Sequence, residues 1–420
     1  MKESKGHTLS IPSPAGHARS GRATRLERAL VRRMLILLGD PPFAVELWDG
    51  EIVAPSTAGE LKARVQVRDR AALYGLLRHP DLHFGDAYAT GRIEIQGDLV
   101  EFLDVAYRHL AAAHSKGWLW RLSRRLGRPR RNTLTGSRRN IHHHYDLGND
   151  FYRLWLDKEM VYTCAYFPDP EMTLEEAQLA KMDHVCRKLR LRPGETVVEA
   201  GCGWGSLARH MARYYGVSVQ AYNISEEQVR YARERVRAEG LEDRVQYHLA
   251  DYRQIDGQYD VFVSIGMLEH VGPANYRELG RVVDRALRPD GRGLIHSIGR
   301  NQPGPMNPWI EKRIFPGAQP PSLGQMTAVF EPYDLSVLDV ENLRLHYAKT
   351  LEHWLGRFER VLEEVKARYD EFFARAWRLY LSGSIAAFTT SSLQLFQVLF
   401  ARPRNNDLPW SRAHLYRVDD

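Results

Sequence analysis

Cysteine is nearly absent from this sequence: Cys164, Cys186 and Cys202 are the three in 420 residues. No two of them stand at C-x-x-C spacing, which excludes a disulfide framework and a cysteine-based zinc site and points to a reducing, cytoplasmic setting. Long apolar runs are also lacking, since no stretch approaches the roughly 20 residues that a bilayer-spanning helix needs. The first 25 residues carry Arg and Ser but no apolar stretch of a secretory signal. The expectation is a chain neither exported nor threaded through a membrane. A large charge excess is missing too, because 59 basic residues face 52 acidic ones for a net +7. Where that excess sits matters more: Lys116 to Arg139 holds nine Lys/Arg and no acid, more than the net charge of the whole chain. With 44% hydrophobic residues the remainder is globular in composition, and the length exceeds one usual core, which favours two domains.

The organisation follows from changes of pattern. Residues 1–22, rich in Ser, Pro, Gly and His, are expected to be a disordered tail. Residues 23–115 read as a small α+β accessory domain. Leu26, Leu30, Met34 and Leu37 recur at helical spacing until Pro41-Pro42 stops them. Residues 43–48 and 63–67 alternate as strands, Asp49-Gly50 marks a turn before 51–53, and 99–110 resume a helical period. The Arg-rich segment 116–140, with Pro129 and Gly136, reads as a basic linker. In residues 141–420 strands alternate with helices, the mark of a parallel sheet covered on both faces. Strands are expected at 196–200, 217–222, 245–249, 260–264 and 292–297, and helices at 207–215, 226–239 and 276–287. Over 351–373 the residues Leu351, Trp354, Phe358, Val361, Val365 and Phe372 predict one long amphipathic helix. The fold class is therefore α/β, Rossmann-like, with a smaller N-terminal α+β domain.

The strand at 196–200 runs into Gly201-Cys-Gly-Trp-Gly-Ser206 and then a helix. Gly201, Gly203 and Gly205 let backbone turn tightly and approach a ligand, while the helix start presents free N–H groups. The loop lacks the lysine of a phosphate loop. A dinucleotide fold would place an acid after the second strand, but position 223 is Asn. Asn223 and Gln228 can bond ribose hydroxyls without charge, Asp251 and Tyr252 stand where an adenine amino group and ring would be met, and Glu199 precedes the glycines as methyltransferases use to order the loop. S-adenosylmethionine is the cofactor this context predicts.

Beyond that loop the motifs multiply: N-I-H-H-H-Y-D-L-G-N-D at 140–150, V-Y-T-C-A-Y at 161–166, V-E-A-G-C-G-W-G at 198–205, S-I-G-M-L-E-H-V-G at 264–272, L-I-H-S-I-G at 294–299, F-P-G at 315–317 and H-Y-A-K-T-L at 346–351. In this order and spacing the chain resembles the cyclopropane-fatty-acyl-phospholipid synthases and their mycolic acid cyclopropane synthase relatives, over about 141–401. The N-terminal part resembles the accessory domain of the phospholipid-acting branch through F-G-D-A-Y at 84–88, Gly91 and D-L-V-E-F-L at 98–103. The resemblance implies transfer of the methyl carbon of S-adenosylmethionine to a cis double bond of a phospholipid acyl chain, with bicarbonate assisting loss of a proton as the ring closes. It further implies a bicarbonate set of Cys164, Glu269, His296, Ile298 and Tyr347, the first and fourth acting mainly through backbone groups, and cofactor contacts from Tyr162 and Thr163. Thr163 stands where Ser is commoner and Glu199 where Asp is commoner, and both keep the functional group. Independently of the resemblance, Glu269, His270, His296 and Ile298 fall at the ends of neighbouring strands, the edge where open α/β sheets bind ligands.

The same addition could end in a methylene- or methyl-branched acyl chain, and a lipid-binding protein without turnover is a reading of another class. The stripe over 351–373 either faces the core or walls an acyl-chain pocket. His142-His143-His144 does not suit a metal, because consecutive side chains cannot all face one ion. Asp40-Pro-Pro-Phe43 matches a nucleic-acid methyltransferase motif but stands outside the cofactor domain, so no nucleic acid partner is expected. The basic segment with Trp118 and Trp120 suits an anionic membrane surface, which places the protein peripherally on the inner face. The resemblance also leaves a homodimer open through the N-terminal domain.

Overall fold

The structure, a computed structural model, describes residues 21–56, 59–116 and 147–416, and for 111–116 the backbone alone. Most of the expected tail, the basic linker beyond Lys116 with Trp118 and Trp120, and His142 to His144 lie outside the described residues.

Two sheets organise the chain. The first has the order β2-β1-β3-β4, formed by β1 (Phe43–Glu46), β2 (Ile52–Val53), β3 (Ala63–Val67) and β4 (Ile93–Gln96). Alternation in β3 buries Ala63, Val65 and Val67, while Arg64 and Gln66 turn to Glu46 on the neighbouring strand. The strand expected to reach Trp48 stops at Glu46, because Gly50, at φ 85°, closes the turn by donating to the Leu47 carbonyl. A Thr24/Glu27 capping box starts the helix Arg25–Leu37, which buries Val31 and Leu35.

The second sheet has the order β10-β11-β9-β8-β5-β6-β7. Its strands are β5 (Thr196–Ala200), β6 (Ser218–Asn223), β7 (Val245–Leu249), β8 (Tyr259–Ile265), β9 (Leu287–Gly299), β10 (Ser336–Asn342) and β11 (Gln394–Ala401). Strands β5 to β9 are parallel, and β11 runs antiparallel to both β9 and β10. The chain moves outward from β5 through β6 and β7, then returns to β8 on the other side of β5. That reversal opens a crevice beyond the carboxyl ends of β5 and β8. Helices on both faces explain why Val197 to Ala200 are all buried.

The single helix expected over 351–373 is not formed. Arg344–Arg360 ends where Val361 leaves helical geometry (φ −109°, ψ 12°), Leu362–Arg368 follows, and Asp370 starts Glu371–Thr389 by accepting from the Phe373 N–H at 2.6 Å. Leu351, Trp354, Phe358 and Val365 are buried in one hydrophobic cluster with Val45, Val65 and Ile93 of the first sheet. The F-G-D-A-Y stretch joins the two sheets: Asp86 accepts from Trp309 Nε1 at 3.0 Å, Lys312 Nζ at 3.1 Å and Arg313 Nε at 3.0 Å. Gly85 lets the indole of Trp309 lie against the backbone, since a Cβ there would stand 2.4 Å from the ring. Arg375 donates to the Tyr88 carbonyl at 2.7 Å and covers the Tyr88 ring.

Candidate functional site

The Gly-rich loop follows β5, and Gly201, Gly203 and Gly205 take φ of 82°, 53° and 80°. These values favour glycine, and at Gly205 a Cβ would meet Tyr247 Oη at 2.4 Å. Asn223, at the end of β6, holds the loop: its Nδ2 donates to the Gly203 carbonyl at 3.1 Å and to Gln228 Oε1 at 2.8 Å. The two residues expected on a ribose are thus bonded to one another. Asp251 pairs with Arg253 at 2.8 Å and caps the turn beginning at Tyr252, whose ring lies under the same guanidinium. Glu199 is buried, and its Oε2 has no hydrogen-bond partner among the described residues. Burial pushes its pKa up to about 7 against the pull of Lys181 and Arg209.

Glu269 stands in the short helix Leu268–Val271 just beyond β8, and His296 and Ile298 end β9. The structure brings these three together. Glu269 Oε1 accepts from the Ile298 N–H at 2.5 Å, so this backbone donor is engaged by the carboxylate. Glu269 Oε2 and His296 Nε2 are both buried without a partner among the described residues. Burial pushes Glu269 up to about 7, partly offset by backbone hydrogen bonds including that from Ile298. Burial, with Lys181 and Lys188 nearby, pushes His296 down to about 3, so its ring is neutral.

Cys164 and Tyr347 approach through shared backbone. The Leu343 carbonyl accepts from the Tyr347 N–H at 3.1 Å and lies 3.9 Å from Cys164 Sγ. Leu343 N–H in turn donates to Leu395, which pairs with Ile298 across β11 and β9. Burial raises the Cys164 thiol far above its ordinary pKa, so it is not a nucleophile here. Thr163 Oγ1 accepts from Lys181 Nζ at 3.1 Å, and Tyr162 bonds Tyr380 at 2.9 Å within a wall of Tyr152, Trp155 and Trp354. A cleft of about 500 Å³ lined by Arg153, Lys158, Arg357 and Arg360 shares no lining residue with the predicted site.

Sequence reasoning missed the polar groups behind the site. Gln178, Lys181, His184 and Lys188 recur at three- to four-residue spacing on the helix Leu174–Leu189, and all four are buried. A polar stripe at helical period inside a chain rich in apolar alternatives was the available signal.

Comparison with known proteins adds to this geometry. A family described as mycolic acid cyclopropane synthetase matches residues 132–398, and one described as a domain of unknown function matches 30–116. A probable fatty acid methyltransferase of Pseudomonas putida is 38% identical over 388 residues, 90% of this chain and 96% of that protein. The cyclopropane-fatty-acyl-phospholipid synthase of Escherichia coli K12 is 44% identical over 270 residues, 64% of this chain and 69% of that protein. The solved mycolic acid cyclopropane synthase CmaA1, complexed with SAH and CTAB, is similar at a TM-score of 0.60 and 32% identity, over 63% of this chain and 98% of that chain. The larger sheet accordingly has the Rossmann-like fold of S-adenosylmethionine-dependent methyltransferases expected from the sequence.

Proposed function

Because the chain belongs to the mycolic acid cyclopropane synthetase family, as a C-methyltransferase dependent on S-adenosylmethionine, we propose that it methylenates a cis double bond of a phospholipid-borne acyl chain. The observation that carries this reading is the pair Glu269 Oε2 and His296 Nε2, buried and without partners among the described residues at the ends of adjacent strands. Such atoms cost about 1–3 kcal/mol each unless a ligand completes them. A small planar anion fits: the neutral imidazole and a carboxyl poised near neutrality can each donate to its oxygens. Bicarbonate held by Glu269 and His296, with Cys164 and Tyr347 beside them and Ile298 acting through Glu269, to which its N–H is given, would supply a mild base, and S-adenosylmethionine would supply a methyl on a cationic sulfur.

The chain's own residues prepare the reaction. Asn223 holds the glycine loop, and Glu199, Tyr162 and Thr163 border the donor's place. The olefin's π electrons would form the new carbon–carbon bond to the methyl as its bond to the sulfonium sulfur breaks, the electron pair staying with departing S-adenosylhomocysteine and the neighbouring olefin carbon being left electron-poor. Transfer of a proton from that methyl to the held base would return the electron pair that closes the ring. The walls of Tyr162, Trp155, Trp354 and Tyr347 keep out water, which would convert the cation to an alcohol, and their π faces favour positive charge.

A second reading ends the same addition without a ring: a hydride shift to the cationic carbon and then loss of a methyl proton gives a methylene-branched acyl chain, and loss of a proton from an adjoining chain carbon gives a methyl-branched, still unsaturated one. It is favoured by the likeness to the Pseudomonas putida protein over nearly its whole length. Under either reading the basic segment 116–140 rests on anionic headgroups at the inner face of the membrane, and the N-terminal unit aids that contact or pairs two protomers. No helix among the described residues is long and apolar enough to cross a membrane. The test is incubation with unsaturated phospholipid vesicles and methyl-labelled S-adenosylmethionine, then ozonolysis and mass spectrometry of the lipid. A labelled, ozone-resistant acyl chain supports the ring; a labelled chain that ozone cleaves, at a methylene or at a methyl-bearing internal double bond, supports branching. No labelled lipid, with label in nucleic acid or nowhere, refutes both.

A further inference from the structure

We infer that Gln397 is a positioning residue for this reaction: held by Lys188, it fixes His296 in the tautomer that carries its proton on Nε2. The inference rests on the reading above of His296 as part of the reaction site.

One largely buried chain of hydrogen bonds fixes the ring. Lys188 Nζ lies 2.6 Å from Glu341 Oε2 and 2.8 Å from Gln397 Oε1, and Glu341 Oε2 lies 2.8 Å from His184 Nε2. An ammonium group only donates, so the end of the Gln397 amide that faces Lys188 must be its oxygen. The opposite end, Gln397 Nε2, then lies 3.1 Å from His296 Nδ1. An amide nitrogen cannot accept, so Nδ1 must accept and bears no proton. The neutral ring therefore has its hydrogen on Nε2, the nitrogen without a partner among the described residues.

Packing makes the lock rigid. His296 and Gln397 are direct cross-strand partners on β9 and β11, and both are buried. A glutamine amid Leu395, Phe396, Val398, Leu399 and Phe400 is costly to bury, and both ends of its amide are satisfied here. The charged and titratable groups around the ring are Lys181, Lys188 and His184 from the helix Leu174–Leu189 and Glu341 from β10. The imidazolium form is opposed twice, since it would set two donors face to face and add a cation beside two lysines. The chemical consequence is polarity: Nε2–H offers an anion a donor, whereas the other tautomer would turn a lone pair toward it.

The tautomer can be read directly by two-bond proton–nitrogen correlation on the full chain labelled at histidine nitrogen, the His296 signals being those lost in His296→Gln. The expected pattern is an Nε2-protonated neutral ring, constant over roughly pH 6 to 8. Gln397→Glu keeps the partner of Lys188 but presents an acceptor to Nδ1. It should move the proton to Nδ1 or charge the ring, and lower kcat about ten-fold or more with KM for S-adenosylmethionine little changed. An Nδ1-protonated ring in the unmodified protein overturns the inference, as does a Gln397→Glu variant whose tautomer moves while kcat does not. If that variant fails to fold, Gln397→Met, nearly isosteric, should give a mixed pattern. Absence of lipid methylation alongside an Nε2-protonated ring would refute the reaction and leave the lock standing.

Discussion

Replacing Glu269 by Gln should make the protein more stable at alkaline pH while stopping its reaction. Glu269 Oε1 accepts from the Ile298 N–H, and the amide oxygen of Gln can keep that bond. What the substitution removes is the ionisation of a buried group whose pKa rises from 4.5 to about 7. Between those values the unfolded carboxyl has lost its proton and the folded one keeps it. The native state binds more protons, so stability declines as pH rises through this window and the loss is complete above about 7. A shift of this size corresponds to a ceiling of about 3 kcal/mol, and relaxation around the site reduces it to about 1–3 kcal/mol. Urea unfolding of both proteins in bicarbonate-free buffer should therefore show the Glu269→Gln variant gaining that amount between about pH 5 and pH 8. Turnover on unsaturated vesicles should fall about a hundred-fold or more if the carboxyl shapes the proton-transfer site. A stability difference independent of pH would refute the buried, raised-pKa carboxyl; unaltered turnover would refute its role.

Other perturbations report on separate parts of the architecture. Gly205→Ala should cost more than about 2 kcal/mol and abolish S-adenosylmethionine binding by calorimetry, because it joins a positive φ to a Cβ within 2.4 Å of Tyr247 Oη. Asn223→Ala removes both bonds that tie the loop to Gln228 and should weaken cofactor binding by about ten-fold with less effect on melting. Asp86→Ala leaves Trp309, Lys312 and Arg313 without their common acceptor, and limited proteolysis should then cut faster between the two sheets, with about 2 kcal/mol lost.

How much of this was legible beforehand depends on whether a segment's structure is decided locally. Strands β5 and β7 match their expected limits to the residue, since each is a short run with a turn signal at its end. Strand β10 has no such signature: Ser-Val-Leu-Asp-Val-Glu-Asn lies at the sheet edge and pairs with β11 through a register shift between Val337 and Asp339. Its extension is dictated by its neighbour. The break at Val361 is equally nonlocal in origin. The apolar period continues across it, so periodicity alone predicts one helix, while Asp370 and the burial of Trp354 and Val365 in a core shared with the first sheet impose segments.

The site divides along the same line. Glu269, His296 and Ile298 could be placed from sequence because the apolar runs of β8 and β9 mark where two neighbouring parallel strands end, and these residues stand at or just past those ends. The state of His296 could not, since its deciding partner, Gln397, lies 101 residues away and meets it through the antiparallel register of β11 on β9. A slip by one residue would put Phe396 or Val398 opposite the ring, strand Nδ1 without a bond and turn the buried amide outward. Lys188 adds a third element, from a helix that precedes the whole sheet in sequence. The tautomer inferred for His296 is thus a property of sheet registration and helix docking together. No motif at 294–299 carries it, which is why the position of the His296 imidazole was legible and its proton was not.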